Sequence, residues 1–429
     1  MNRTCENVIN VGVAGSIETD TGQRTPTLVE QIESMGSFNV RAIYNEDLGV
    51  AKSILNKANL LSKFVKSLNR NKNEDSKTEK VYTDNLEEFL NIKDIDVVIV
   101  SEINTETATK VIINCIIKGK SVINLNAISE VTLGLLFKNL ANNNYTIYSV
   151  GAGDEPASTL ELIDFCKMLG LDIICAGKGK NNPLNKYSTP DDFKGEVNKN
   201  NNSDKDIKVS PEGITSFIDG TKTMLEMAIL SNATGFPIDK AGMHGQEINL
   251  ADLVKIFNLK ENGGILSRIP VIDYVIGDVA PGVFVVFTSK QKSIISELKY
   301  LKMGKGPNFI LYKPYHLGNI EVPLSIYDVV LKRKPTIAVK DRIVTTVVAR
   351  AKKDLKTGDF IDSIGGYTFS GLAINYKEMK EKNYVPIGLV EKSRVKKDIK
   401  RDEIISFGNI ECNFNSIIYN LWKLQTELF

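Results

Sequence analysis

The chain has 429 residues, 42% of them hydrophobic and 25% charged, with a formal net charge of +2. That length exceeds one ordinary domain and leaves room for large cores. The near-neutral balance offers no basic stripe for nucleic acid, and no apolar run approaches the ~20 residues that span a bilayer.

The short basic runs Lys332-Arg333-Lys334 and Lys396-Lys397 sit among acids and read as solvated surface. Five cysteines, Cys5, Cys115, Cys166, Cys175 and Cys412, form no C-x-x-C pair, and the middle three lie in apolar stretches. This is the usage of a reducing compartment. No basic region followed by a long apolar run opens the chain, so a cytoplasmic location is expected.

Residues 8–15 read as a short parallel strand running into a glycine. A dinucleotide fold would continue as G-x-G-x-x-G, but Ile17 and Asp20 stand where the second and third glycines belong. A branched side chain and a carboxylate there both work against a bound phosphate. Phe38–Tyr44 is a second strand, and Leu48–Leu68 carries apolar residues at helical spacing. Residues 69–80 read as a solvated loop, Val81–Thr83 as a strand and Leu86–Leu90 as a helix start. Val97–Val100 is a buried strand, and Ala108–Ile117 a helix closed by Gly119. Val122–Asn124 and Thr146–Val150 bring the strands to six. Strands alternating with helices predict a doubly wound, Rossmann-type α/β domain over 1–150.

The segment 151–338 is mixed. Glu155-Pro156 opens a helix to Leu169, followed by a strand over Leu171–Ala176. Residues 181–206 are polar, and the run 198–202 reads as a flexible loop or insertion. Ser210-Pro211-Glu212 starts a helix expected to continue to about Asn232. Gly282–Thr288 and Phe309–Tyr312 are strands, and Ile320–Leu331 is helical. From 339 to 429 the chain is β-rich, with a run at Ile343–Ala349 and turn signals at Gly358 and Gly365-Gly366.

Several stretches together resemble a known family: Ala176-Gly177-Lys178-Gly179-Lys180, Ser188-Thr189-Pro190-Asp191, Ser216 to Lys222, Tyr312 to Leu317, Ala351 to Asp359 and Gly365-Gly366-Tyr367. The set is similar to the homoserine-dehydrogenase-like oxidoreductases with a C-terminal SAF domain. One branch of these contains reductoisomerase-like enzymes that convert 1-deoxy-xylulose 5-phosphate to methylerythritol phosphate. The resemblance implies a Rossmann domain, an α/β substrate domain over 151–338 and a SAF-like tail over 339–429 that stays out of the hydride chemistry. It implies NADP or NAD as cofactor and a small polar hydroxy or oxo compound as substrate. The partners expected are that substrate and further copies of the chain, not nucleic acid or a membrane. The chain departs from the family at the glycine turn, at Ser101-Glu102-Ile103-Asn104 and at Asn126-Ala127, which replaces Asn-Lys.

The expected cofactor residues are Gly15, Ser16 and Ile17 in the turn, Asn45 at the end of the second strand, Ser101 and Asn126. An amide at Asn45, in place of the acid of NAD enzymes, favours NADP, while Glu46 next to it weakens that preference. Lys178 and Lys180, after a buried strand, could hold a substrate anion or polarise a carbonyl. Asp219, Lys222 and Glu226, at i, i+3 and i+7, share one stripe if one helix carries them. Turned into a cleft they would manage a proton; turned outward they would be ordinary helix pairs. His316 offers an acid, a base or a packing ring, and His244 reads as a loop residue. The catalytic set is therefore Lys178, Asp219, Lys222 and His316. No metal is assigned, since no histidine–cysteine cluster exists, although a reductoisomerase would want a cation on Asp154, Glu155 or Asp191. A third reading is a non-redox binding protein on a relic fold, favoured by the broken turn and Glu102.

Overall fold

The computed structural model describes residues 8–20, 22, 24–67, 79–193 and 210–429. Cys5 and the runs 69–78 and 198–202 lie outside them. The chain packs as two compact units, Met1–Gly153 with Leu317–Ala338 and Asn415–Phe429, and Asp154–His316 with Val339–Phe414. The stretch 339–414 thus clusters with the middle of the chain.

The first unit is built on seven parallel strands: β1 (Ile9–Gly15), β2 (Phe38–Tyr44), β3 (Val65–Lys66), β4 (Val81–Thr83), β5 (Val97–Ser101), β6 (Ser121–Asn124) and β7 (Tyr148–Val150). Their order, β3-β4-β2-β1-β5-β6-β7, reverses between β1 and β5. A parallel strand is covered on both faces, so the runs Val97–Val100 and Phe38–Tyr44 are apolar almost throughout. Val11, Val13, Ile43, Val97 and Ile99 meet Leu28, Val29 and Ile32 of α1 (Thr25–Ser34) in one core. This is the Rossmann-type sheet the alternation predicts.

Two expectations fail here. The helix expected over Leu48–Leu68 is α2 (Leu48–Lys57) only. Asn59, at φ 56°, turns the chain out of the helix, and Val65–Lys66 joins the sheet edge as a seventh strand. The tail also ends in a helix, Ile417–Leu428, that the β-rich reading missed. Gln425 ties it to α5 (Ala127–Asn143) by donating to Thr132 O at 2.9 Å and accepting from Leu136 N at 2.9 Å.

The second unit holds a five-stranded sheet in the order β12-β11-β8-β10-β9. Its strands are β8 (Asp172–Lys180), β9 (Gln246–Glu247), β10 (Val271–Ile276), β11 (Val283–Thr288) and β12 (Phe309–Lys313). Strands β8, β9 and β10 run parallel, and β11 is antiparallel to β8. Helix α6 (Glu155–Met168) packs on β8, and two helices, α7 (Pro211–Ile218) and α8 (Thr221–Thr234), replace the single helix expected. Gly220, at φ 87°, breaks them apart. The antiparallel pair β13 (Thr345–Ala351) and β14 (Phe369–Asn375) lies on α8. The described cysteines Cys115, Cys166, Cys175 and Cys412 are all buried thiols, as apolar neighbours suggest. Among the described residues no helix is long and apolar enough to cross a membrane.

One buried carboxyl makes the first unit sensitive to pH. Glu130 of α5 is 3% exposed and accepts a 2.6 Å hydrogen bond from the Tyr148 hydroxyl. Gly134, one turn on, makes room, since a Cβ there would lie 2.5 Å from Glu130 Oε1. Burial pushes Glu130 up to about 7, against the pull of Tyr148 and Lys138. The folded chain therefore keeps a proton that the unfolded chain releases near pH ~4.3. The stability this contributes is complete below that pH and is lost as pH rises through about 7. Glu130→Gln should hold its melting temperature over this window while the parent falls by a few degrees relative to it. Parallel thermal melts across the window check this, and identical pH slopes would refute it.

Candidate functional site

The second unit gathers the candidate residues at the C-terminal end of β8. This strand runs on to Lys180, so Lys178 and Lys180 stand in the sheet and not in a loop after Ala176. Glycine and lysine are poor strand formers, but Lys178 is paired on both sides, opposite Tyr274 of β10 and Val283 of β11. The glycines have a steric reason. A Cβ on Gly177 would lie 1.6 Å from Asp273 O, and one on Gly179 would lie 2.2 Å from Ala280 N. Side chains alternate along a strand, so both lysines occupy the other face.

Lys178 is 5% exposed and donates to both Glu155 Oε1 and Glu226 Oε2. Glu155 lies in the first turn of α6, where the helix dipole favours a negative charge. Lys222 and Glu226 stand one turn apart on α8. Lys222 Nζ is 3.3 Å from Glu226 Oε1, 4.0 Å from Asp154 Oδ1 and 4.3 Å from the centroid of the Phe217 ring. The result is a relay of three carboxyls and two ammonium groups, buried except for the half-buried Asp154.

The groups set one another's charge. Burial opposes a charge on Glu155, but Lys178 and Lys222 outweigh it and hold Glu155 well below the usual carboxylate range. Burial and the charge on Glu155 push Glu226 up. Burial, with Glu155 and Glu226 beside it, pushes Asp154 up to about 8 despite Lys222. Burial disfavours the charge on Lys222, but Glu226 and Asp154 reverse this and raise it above an ordinary lysine.

His316 joins the group from the end of the β12 segment. Its Nδ1 lies 2.8 Å from Pro281 O and its Nε2 3.7 Å from Glu155 Oε2. With Nδ1 on the Pro281 carbonyl, the ring presents Nε2 to the carboxylates. Asp154, Glu155 and His316 each offer a ligand atom within 4.8 Å of the others, and Glu155 Oε2 is buried without a hydrogen bond. Asp191, the third acid considered for a metal, is elsewhere, accepting from the Tyr367 hydroxyl at 2.7 Å.

Asp219 does not share a helical stripe with Lys222 and Glu226. It is the last residue of the α7 turn, and its Oδ1 accepts from Thr221 N–H at 2.8 Å across the break at Gly220. Its Oδ2 lies 2.8 Å from Lys352 Nζ, which also donates to Ser188 O at 2.7 Å and Gly366 O at 2.8 Å. Sequence reading missed Lys352. The available signal was that Ser188, Asp219, Lys352 and Gly366 all lie in the stretches that carry the family resemblance. His244 is tied to Asp239 Oδ2 at 2.9 Å, in keeping with a loop role.

The expected cofactor residues meet in the first unit, around Glu102. Ser16 donates to Glu102 Oε1, and Asn45 Nδ2 donates to Gly15 O at 3.0 Å and Glu102 Oε2 at 3.2 Å. Asn126 Nδ2 donates to Glu102 O at 3.1 Å while its Oδ1 caps α5 through Ser129 N–H at 2.8 Å. Ser101 Oγ lies 2.7 Å from Thr25 Oγ1. Ile17 packs against the core, and Asp20 accepts from Ala127 and Ile128 N–H at 3.2 and 3.0 Å. The first helix begins only at Thr25, so it does not follow the turn directly. Glu102 is 6% exposed and burial raises its pKa, so this carboxylate folds over the turn.

Residues 153–322 match the family model described as oxidoreductase DRL, catalytic domain. The chain is an oxidoreductase. The matched segment contains Asp154, Glu155, Lys178, Asp219, Lys222, Glu226 and His316. It displaces the non-redox reading of the sequence. No curated protein matches the sequence. Among solved structures the chain is similar to an oxidoreductase from Bacillus cereus, at 15% identity and TM-score 0.40, over 78% of this chain and 92% of that one. It is also similar to scyllo-inositol dehydrogenase from Lactobacillus casei, solved with NAD(H) and scyllo-inositol, at 13% identity and TM-score 0.36, over 72% and 76% of the two chains.

The double pairing of Lys178 predicts a structural cost. Lys178→Met leaves Glu155 and Glu226 buried without their shared cation and should destabilise the protein by about 3–5 kcal/mol. Adding Glu226→Gln removes one of the two stranded charges and should recover part of the loss. Equilibrium denaturation of the single and double variants reads both effects. A single variant as stable as the parent would show that the pairing does not hold the unit together.

Proposed function

We propose that the protein is a nicotinamide-dependent oxidoreductase, similar to the homoserine dehydrogenases, acting on a small polar hydroxy or oxo compound. The observation that carries this reading is the buried relay of Lys178, Glu226 and Lys222 within the segment matched as an oxidoreductase catalytic domain. Hydride transfer to a carbonyl carbon leaves negative charge on its oxygen, and that oxygen must gain a proton. Lys222, held cationic by Glu226 and Asp154, is suited to stabilise the charge. Glu226 bridges the two lysines and keeps both oriented. Asp219 acts at one remove, anchoring the turn that starts α8 through Thr221 and Lys352. The SAF-like reading of the tail belongs to this proposal, with Lys352 as its contribution to the second unit.

The nucleotide is assigned to the first unit, at Gly15, Ser16, Ile17, Asn45, Ser101 and Asn126. NADP is favoured over NAD. Asn45 places no acid at the strand end, and Glu46, which would oppose a 2′-phosphate, is paired with Lys110 at 3.0 Å. Bound there, the nucleotide supplies the hydride. The chain's own task is to yield the donors Ser16 Oγ and Asn45 Nδ2, which Glu102 now engages.

A second reading, a phosphosugar reductoisomerase, is favoured by the cluster Asp154, Glu155 and His316. The residues fit a divalent cation: two carboxyls, a ring nitrogen, and a buried oxygen on Glu155 without a hydrogen bond. A cation there would polarise a substrate oxygen. Turnover that is abolished by chelation and restored by Mg²⁺ or Mn²⁺ would select this reading.

The nucleotide assignment is tested by titrating NADPH and NADH into the parent and Glu102→Gln, followed by nicotinamide fluorescence. Removing the carboxylate charge should tighten binding at least about tenfold, or ~1.4 kcal/mol, with NADPH ahead of NADH. Absence of binding to both proteins would overturn the cofactor assignment.

A further inference from the structure

Five lysines are buried among the described residues: Lys120, Lys178, Lys180, Lys222 and Lys352. Four have oxygen partners. Lys120 donates to Ile92 O at 2.7 Å, Lys178 to two glutamates, Lys222 lies against Glu226, and Lys352 against Asp219, Ser188 O and Gly366 O. Lys180 is 6% exposed, and among the described residues its ammonium has no hydrogen bond and no ion pair.

An ammonium held mostly out of water without a counter-charge is disfavoured, and one whose tip still meets solvent either loses its proton or takes its anion from outside. Burial and the adjacent Lys178 push Lys180 down to about 8. The carboxylates facing it, Asp219 from the turn before α8 and Glu226 from α8 itself, pull the other way. Both are already committed, Asp219 to Lys352 and Glu226 to Lys178 and Lys222. Among the described residues no protein oxyanion is left for Lys180.

We propose that Lys180 binds an oxyanion group of the substrate, a carboxylate or a phosphate, and that the second unit is therefore built for anionic substrates. This rests on the reading of the Lys178–Lys222 relay as the reacting site. Lys180 stands two residues beyond Lys178 on the same face of β8, a separation of about 7 Å along a strand. An anionic group a few bonds from a carbonyl or hydroxyl carbon spans that distance. Short hydroxy or oxo acids and small phosphorylated sugars have this form; neutral polyols do not. Gly179 between the two lysines keeps the strand flush against Ala280, which fixes the register of both side chains.

The test uses the full chain without nucleotide, so it can fail while the oxidoreductase reading stands, and nucleotide binding to the parent is measured separately. Malonate and inorganic phosphate are titrated calorimetrically at pH 7 and pH 9. In parallel, ¹³Cε-lysine NMR follows the Lys180 signal, assigned by its loss in Lys180→Gln. At least one of the anions should bind the parent and raise the titration midpoint of Lys180 from near 8 to above 9. Malonate binding should weaken by about five- to tenfold between pH 7 and pH 9, because the amine is neutral above its midpoint. Lys180→Gln should lose at least tenfold in affinity at pH 7 and melt no lower than the parent, since it removes an unpaired charge. The better ligand of the two names the source of the oxyanion. Equal binding to parent and variant would overturn the proposal, as would failure of both anions to move the Lys180 signal at tens of millimolar. Should Lys180→Gln fold poorly, the signal is assigned by its loss in Lys180→Arg, and the NMR titration of the parent decides.

Discussion

The double ion pair of Lys178 is the constraint on which the second unit depends. One ammonium, 5% exposed, is shared by carboxylates from two helices, Glu155 of α6 and Glu226 of α8. Desolvating three charges costs more than a loosely arranged attraction returns, so the arrangement survives only with all partners in place. It therefore fixes the positions of both helices over β8. It also fixes Lys222, whose cation is held by the same Glu226 and by Asp154. Three carboxyls face two lysines, and the imbalance shows at Asp154, whose affinity for a proton is the most strongly raised of the three. A site so balanced responds to any added charge, whether a developing alkoxide, a cation on Asp154 and Glu155, or a substrate anion.

The first unit solves a related problem with an internal group. A strand-to-helix turn in a parallel sheet presents donors that would meet a phosphate. In this chain Glu102 accepts from Ser16, Asn45 and Asn104 N–H, the last at 3.1 Å. A carboxylate on those donors satisfies them in the absence of a nucleotide. Asp20 does the same for the N-terminus of α5 through Ala127 and Ile128. The residues that break the glycine pattern therefore have structural employment: Ile17 in the core, Asp20 on a helix end, Glu102 across the turn.

The Rossmann-type sheet was legible because buried parallel strands are nearly continuous apolar runs; Phe38–Tyr44 and Val81–Thr83 needed no adjustment. The extension of β8 through Gly177-Lys178-Gly179-Lys180 was not, because local propensity opposes it and pairing with β10 and β11 overrides propensity. The break between α7 and α8 was hidden by the apolar periodicity that runs through both, although Gly220 marks it. Lys178, Lys222 and His316 were found from the resemblance, and the structure brings them together with Glu155 and Asp154. Asp219 was grouped with them by spacing, yet its partner Lys352 lies more than a hundred residues away. No local pattern carries a pairing of that range.

The same strand shows why a buried lysine is not by itself a ligand site. Lys178 and Lys180 are equivalent in sequence: each follows a glycine, each ends on the helix-covered face of β8, and each is almost fully buried. What separates them is the supply of carboxylates overhead. Glu155 and Glu226 converge on the first, and among the described residues no free one reaches the second. Chemistry open to an outside molecule is found where the protein has left a charge uncompensated, not where charges are most numerous. By that criterion the paired Lys178 is part of the scaffold that orients Lys222, and the ammonium two residues further along is the one with capacity to bind.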